Sequence, residues 1–267
     1  MDASYTEEQD FAEKDAVLND LSYWLEQVLG TTEINLALEI GGSGGLLAGL
    51  FAERHGSTIC TDIVDWDLKY GGAGIKLLGE KFERNGRKLA AAKLKYIPAD
   101  AQNLMFRNDL FDVVYSLNAF EHIPDPAAAL REAIRVTRPG GMLYLRFDPV
   151  WTADSGSHFL HLIGAPWAHL LLSDDEIAEV MLSNGATTDE VASYRNDMNR
   201  LPVSYYREAF PRIIAELGCK TEFSVDWSGT VDPDFVQNQN RFEAASKLGI
   251  NDADLLVRGF QFVVRKG

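Results

Sequence analysis

INLALEIGGSGG at residues 34–45, followed by LLAGLFAERHG at 46–56, decides how the chain is read. A short apolar run closes on glycines, and the next eleven residues carry a helical pattern that stops at Gly56. The reading is strand, glycine turn, helix. Glycines at that junction let the backbone turn tightly and approach a ligand, while the helix N-terminus offers free N–H groups.

The alternation continues on the C-terminal side. STICTDIV reads as a second strand ending in an acid, then a glycine-rich stretch (YGGAG) and a helix from about Ile75 to Ala92. LKYIPAD and FDVVYSLNAF are a third and fourth strand. PAAALREAIRVTR is a helix started by Pro126 and stopped by Pro139-Gly140-Gly141, after which MLYLRFDPV is the fifth. CKTEFSV and LVRGFQFVVRK supply two more strands, separated by a helix around 234–247. Seven strands alternating with helices predict an α/β fold, Rossmann-like, with a mostly parallel sheet flanked by helices. Ligands in such sheets sit at the carboxyl ends of the strands.

Two segments stand outside this core. Residues 6–29 open with Thr6 and Gln9 in capping-box spacing and put Phe11, Leu18, Leu21, Leu25 and Val28 on one face, ending at Gly30: an N-terminal amphipathic helix that must dock. From 151 to about 200 the alternation breaks into sequence rich in Trp, His and Leu. A second capping box, Ser173 to Glu176, opens a helix that runs to Asn184-Gly185, and a helical stretch from Ser204 to Leu217 is interrupted by Pro211. One domain is expected, divided into a helical segment (1–30), a cofactor core (31–150), a helical insertion that caps the acceptor (151–218) and C-terminal strands (219–267).

Charge narrows the partners. The 267 residues carry 25 Lys and Arg against 40 Asp and Glu, a formal charge of −15; residues 1–30 hold −7, residues 31–150 hold −1 and residues 151–267 hold −7. At 46% hydrophobic and 24% charged, the composition is that of a globular protein, which excludes fibrous, disordered and disulfide-scaffold classes. Nothing offers the clustered Lys and Arg that a polyanion demands, so a small molecule is the expected partner, with no nucleic acid and no membrane. Homo-oligomerisation is left open. Cys60 and Cys219, 159 residues apart, read as reduced structural thiols of a cytoplasmic protein. The acidic MDASYTEEQD start has no apolar core of a signal peptide, and the uncharged run Ser155–Ser173 carries three His, Gly164 and Pro166, so no membrane span is expected.

The glycine loop separates two chemistries. A dinucleotide fingerprint would use Gly42 and Gly44 but needs Gly or Ala at 47, which is Leu47, so a NAD-type oxidoreductase is the weaker alternative. An acid, one spacer and a glycine cluster fit better: Glu39, Gly41, Gly42, Gly44 and Gly45. Here the chain resembles the class I S-adenosylmethionine (SAM) dependent methyltransferases, of the small-molecule, type 11 kind, whose first motif is an acid followed by x-Gly-x-Gly-x-Gly; Ser43 replaces the middle glycine. The resemblance extends to Asp62, 23 residues after Glu39, with Ile63 beside it; to PADAQNLMF at 98–106; to FDVVYSLNAFEHIPDP at 111–126; and to RVTRPGGMLYL at 135–145. It implies SAM as cofactor, with Asp62 on the ribose hydroxyls, Asp100 on the adenine amine, the Ala101 N–H on the adenine ring and Asn118 where the fourth strand meets the cofactor. It also implies an edge ordered five, seven, six. Ser43 supports a third alternative, a module that keeps the fold for binding or regulation without catalysis.

Methyl transfer to a hydroxyl needs alignment, a dry site and a base. Four of the five histidines lie between 122 and 169. His122, His158 and His161 are the candidate catalytic residues; the last two, three apart, would share one face of a helix. No metal is assigned. Asp148 is a candidate to orient a histidine or bind a divalent ion, and Trp151, Phe159, Trp167, Tyr205 and Tyr206 are candidates for an apolar acceptor pocket. The fourth-strand motif lacks the Asn-Pro-Pro-Tyr signature, which disfavours nucleic-acid and protein-glutamine N-methylation. The expected activity is therefore O-methylation of a sugar or secondary metabolite in small-molecule biosynthesis.

Overall fold

A computed structural model describes residues 6–229 and 233–267. The strands are β1 (Ile34–Ile40), β2 (Gly56–Asp62), β3 (Leu94–Pro98), β4 (Phe111–Leu117), β5 (Thr137–Phe147), β6 (Lys220–Ser228) and β7 (Val257–Arg265). They form a seven-stranded sheet ordered β3-β2-β1-β4-β5-β7-β6. β1 through β5 pair in parallel, and β7 runs antiparallel to both β5 and β6. The five-seven-six edge is present as expected. With β1 and β4 central, the strand order reverses between them, which opens a crevice at their carboxyl ends.

The helices are α1 (Glu7–Leu29), α2 (Leu46–Arg54), α3 (Trp66–Lys69), α4 (Gly74–Arg84), α5 (Pro126–Val136), α6 (Leu160–Ile163), α7 (Ala168–Leu171), α8 (Asp174–Ser183), α9 (Thr188–Asn196), α10 (Val203–Glu216), α11 (Pro233–Val236) and α12 (Gln239–Leu248). One sheet face packs on α1, α2 and α4 through Leu21, Phe51 and Phe82; the other packs on α5 and α10 through Leu130, Phe210 and Ile213. A third core, built on Trp167, Ile177 and Tyr194, belongs to the insertion and recruits Ala244 of α12 and Leu255. The insertion's own core thus crosses the expected boundary at 218, while α10 belongs to the main sheet. Among the described residues, no helix is long and apolar enough to cross a membrane. The leader expectation rests in part on residues 1–5, which lie outside the described residues.

The capping box of Thr6 and Gln9 forms, and Gly30 ends α1 in the left-handed conformation at φ 69°. The apolar stripe docks as expected. Its polar partner is deeper: Asp20 accepts from the Tyr144 hydroxyl of β5 at 2.8 Å and from the Gln261 amide of β7 at 2.7 Å. The acids of α1 face cations on the α4 side, Asp10 on Lys81, Glu7 on Arg84 and Asp15 on Arg87.

Three sequence expectations are corrected. The helix expected to reach Ala92 stops at Arg84, because Asn85 and Gly86 turn the chain, with Gly86 at φ 68°. Pro139-Gly140-Gly141 does not end α5; the helix ends at Val136, and the Pro-Gly-Gly residues form the entry to β5, where the register with β4 shifts. Pro211 does not interrupt α10, which runs through it as one helix. The ring faces solvent, and Tyr206, Phe210, Ile213 and Ile214 bury the opposite face, so tertiary packing outweighs one lost hydrogen bond.

Phe147, fully buried at the end of β5, stacks on Phe120 and Phe260 and contacts Tyr206 and Phe210. Phe147→Ala leaves a cavity with no mobile neighbour to fill it, and is expected to lower unfolding free energy by about 3–5 kcal/mol, measured by urea denaturation.

Candidate active site

The loop after β1 is shaped by its neighbours. Gly41 and Gly45 sit at φ 70° and 77°, and Ser43 at φ 49°. A Cβ at Gly41 would overlap Ala119, one at Gly42 would overlap Cys60 and the Glu39 carboxylate, and one at Gly45 would overlap the Tyr96 ring. These glycines are therefore required by packing; at Gly44 a Cβ would meet open space. Tyr96 pins the loop from below, its hydroxyl donating to the Gly44 carbonyl at 2.5 Å.

Asp62, at the end of β2, accepts the Ser43 N–H on one oxygen and the Val64 N–H on the other, both at 2.9 Å. Asp100 forms an Asx turn, one oxygen accepting from the Gln102 backbone N–H at 2.8 Å and its side-chain amide at 3.0 Å. Both carboxylates keep acceptor capacity on the cleft side. Asn118, at φ 51°, is held by its N–H on the Arg146 carbonyl, and its buried Oδ1 has no partner among the described residues.

Two connected clefts surround the loop. One, of about 720 Å³, lies between Asp62 with the exposed Ile63 and Asp100 with Ala101, and is walled by His122 and by Asp197 after α9. The other, of about 630 Å³, holds Glu39, Gly42 and Trp66, with Lys14 of α1 and Lys81 of α4 along its side. Gly41, Ser43, Trp66 and Asn118 border both. Eight of the nine expected cofactor residues line these clefts, and Gly45 lies in the loop between without lining either; the α1, α3 and α4 walls were not read from the sequence. Their one sequence signal was the amphipathic helix at 6–29, whose apolar face had to dock.

Glu39 is buried to 3% exposure, with the Cys60 thiol and the Ala48 amide of α2 against its carboxyl and Oε2 unpaired. Burial, the dominant influence, pushes its pKa up to about 8. Cys60 and Cys219 are both free thiols; Cys60 is buried and Cys219 half-buried.

The histidines separate. His122 and His158 meet, ring centroids 4.9 Å apart, with His122 Nδ1 on the Asp197 carbonyl at 2.8 Å. His158 keeps solvent-exposed surface but is recessed, and desolvation together with the neighbouring His122 lowers its pKa to about 4. His161 does not share a helical face with it: His158 lies ahead of α6 in a turn at φ 64°, and His161 sits exposed beside Phe159. His169 is buried on the Trp151 carbonyl at 2.8 Å. Asp148 pairs with Arg258 at 3.0 Å and orients no histidine. Trp167 and Tyr206 are fully buried core, each with its polar atom satisfied, and Trp151 packs against His169; none of the five candidate rings, Phe159 and Tyr205 included, lines either cleft.

Comparison with known proteins gives a consistent result. Residues 38–145 match a family model described as a methyltransferase domain. An uncharacterized methyltransferase of Mycobacterium sp. (strain JLS) is 31% identical over 128 residues, 47% of this chain and 43% of that protein. A ubiquinone biosynthesis O-methyltransferase of Leptothrix cholodnii is 23% identical over 150 residues, 56% of this chain and 58% of that one. The matched segment thus spans about half the length of these curated relatives. Among solved structures, a geranyl diphosphate methyltransferase in complex with SAM has the same fold at a TM-score of 0.53 and 11% identity, covering 100% of this chain and 93% of that one. So does a [4+2]-cyclase, at a TM-score of 0.52 and 15% identity, covering 93% and 79%.

The raised pKa of Glu39 has a definite sign. Between its ordinary value and about pH 8 the unfolded chain releases a proton that the folded one keeps, so stability falls as pH rises through that window. Glu39→Gln is expected to raise the melting temperature of the ligand-free protein by ~5 °C at pH 8 and by little at pH 5, measured by calorimetry across that range.

Proposed function

Residues 38–145 of this chain are a class I SAM-dependent methyltransferase domain, and from that premise we propose that the protein methylates a hydroxyl of a small molecule, a sugar or secondary metabolite, in the cytoplasm. The observation that carries this reading is the continuous crevice around the glycine loop, lined by acceptor groups at three strand ends. Asp62 and Asp100 suit ribose hydroxyls and an adenine amine. The unpaired Asn118 Oδ1 and Glu39 Oε2 suit a further cationic or N–H donor, as the amine of SAM supplies. The glycine loop itself holds no Lys or Arg of the kind that grips a pyrophosphate. The cofactor fits the residues present.

SAM supplies a methyl group already activated on a sulfonium, so the chain's task is alignment, exclusion of water and removal of one proton. With SAM bound, its methyl would pass to the acceptor oxygen as the sulfur–carbon bond breaks, and the hydroxyl proton would pass to a base on this chain. His122 is the best-placed base: it borders the cleft, and its Nδ1–H on the Asp197 carbonyl leaves Nε2 as the proton acceptor. His158 adjoins it; His161 stands apart and takes no part. The O-methyltransferase name of the Leptothrix relative supports a hydroxyl acceptor.

A second reading, binding without catalysis, draws on Ser43, whose N–H already occupies Asp62. Titration calorimetry with SAM, S-adenosylhomocysteine and NADH addresses the cofactor. The two SAM-type ligands are expected to bind and NADH not to; Asp62→Ala and Asp100→Ala should each weaken SAM by about tenfold or more with the circular dichroism spectrum intact. Binding of NADH without SAM would refute the assignment. Transfer of labelled methyl to a panel of hydroxylated small molecules then separates catalysis from binding, with His122→Ala expected to lower kcat by about 10²-fold or more while SAM affinity holds.

A further inference from the structure

We propose that Glu121, His122 and His158 form a binding site for a divalent transition-metal ion at the rim of the cleft. Each side chain offers a donor atom, and the three donors lie within 4.8 Å of one another, close enough to share one ion. Two of them follow β4 in sequence; the third comes from the insertion, so a bound ion would join insertion to core.

The carboxylate is the decisive member. Glu121 is fully buried, yet neither of its oxygens has a hydrogen-bond partner among the described residues. A carboxylate removed from water with both oxygens unsatisfied costs several kcal/mol unless a cation or a proton meets it. His122 Nε2 lies 4.0 Å from its Oε1, too far for a hydrogen bond. That spacing leaves room for an ion between donors.

His122 is prepared as a ligand. Its Nδ1 contacts the Asp197 carbonyl at 2.8 Å, and a carbonyl only accepts, so the proton resides on Nδ1 and the Nε2 lone pair points the other way. Metal-bound histidines characteristically anchor their second nitrogen in this manner.

The donor set selects the ion. Two imidazole nitrogens and one carboxylate oxygen suit Zn²⁺, Co²⁺ and similar first-row ions, whereas Mg²⁺ and Ca²⁺ favour oxygen-only shells. Three protein donors leave coordination positions for water or for an oxygen of the acceptor. Occupied, the site would compete with the role of His122 as a base, so the metal and the base are alternative uses of Nε2.

Untagged protein is stripped with a chelator and titrated with Zn²⁺, Co²⁺ and Mg²⁺, following heat, melting temperature and the visible absorption of Co²⁺. One equivalent of Zn²⁺ or Co²⁺ is expected to bind, to raise the melting temperature and to give Co²⁺ bands of low-symmetry nitrogen–oxygen ligation; Mg²⁺ should bind at least about 100-fold more weakly. Glu121→Gln and His158→Ala should each weaken Zn²⁺ by about tenfold or more. Glu121→Gln keeps the side-chain shape and is neutral, so it should stay folded, as melting without metal will report. Failure of the native protein to bind either ion, or equal binding by both variants, would overturn the proposal. SAM titration of the same samples reports separately on the cofactor reading.

Discussion

One carboxylate organises the crevice. Asp62 reaches across from the end of β2 and takes the Ser43 N–H of the neighbouring loop and the Val64 N–H of its own. A parallel pair of strands sends its two exit loops to the same edge of the sheet, where backbone groups lose their ladder partners. Asp62 satisfies two of those groups at once and fixes how far apart the loops stand. It also bears on how a serine is tolerated at 43: its left-handed backbone is held in place by its N–H on the Asp62 side chain.

Much of this was legible in the sequence because local rules and global fold agree. Apolar runs ending in glycine or acid became β1 and β2, Pro126 opened α5, and the capping boxes at Thr6 and Ser173 opened α1 and α8. What was not legible depends on backbone states with no sequence periodicity. His158 and Trp167 occupy left-handed conformations that ordinarily favour glycine, so the residues 155–167 turn where a helical spacing rule would have run them straight. The histidines consequently part company. Docking partners were equally hidden: nothing in the α1 sequence says that its acids meet the Lys and Arg of α4, or that Asp20 reaches two strands of the far sheet edge.

Those pairings revise the meaning of the overall acidity. The N-terminal segment carries −7 in isolation, yet Glu7, Asp10 and Asp15 are matched by Arg84, Lys81 and Arg87 across the α1–α4 contact. Pairs this exposed contribute modestly to stability, and their main effect is to set which helices meet and in what register. The near-neutral core and the acidic flanks thus interlock. A fold shared with both a methyltransferase and a [4+2]-cyclase leaves the chemistry to the residues at the strand ends.

Asp20 also bears on how the chain assembles. Its two partners lie 124 and 241 residues further along, on β5 and on the final strand β7. During synthesis α1 emerges before the sheet strands, but one of its anchoring hydrogen bonds cannot form until β7 has been made and inserted antiparallel between β5 and β6. An amphipathic helix must wait, apolar face uncovered, while the parallel core grows. Completion of the sheet and seating of the first helix are therefore one cooperative event, and contacts of such long sequence separation favour slow folding. The acids beside Phe11 and Leu18 keep that waiting helix from associating with others of its kind.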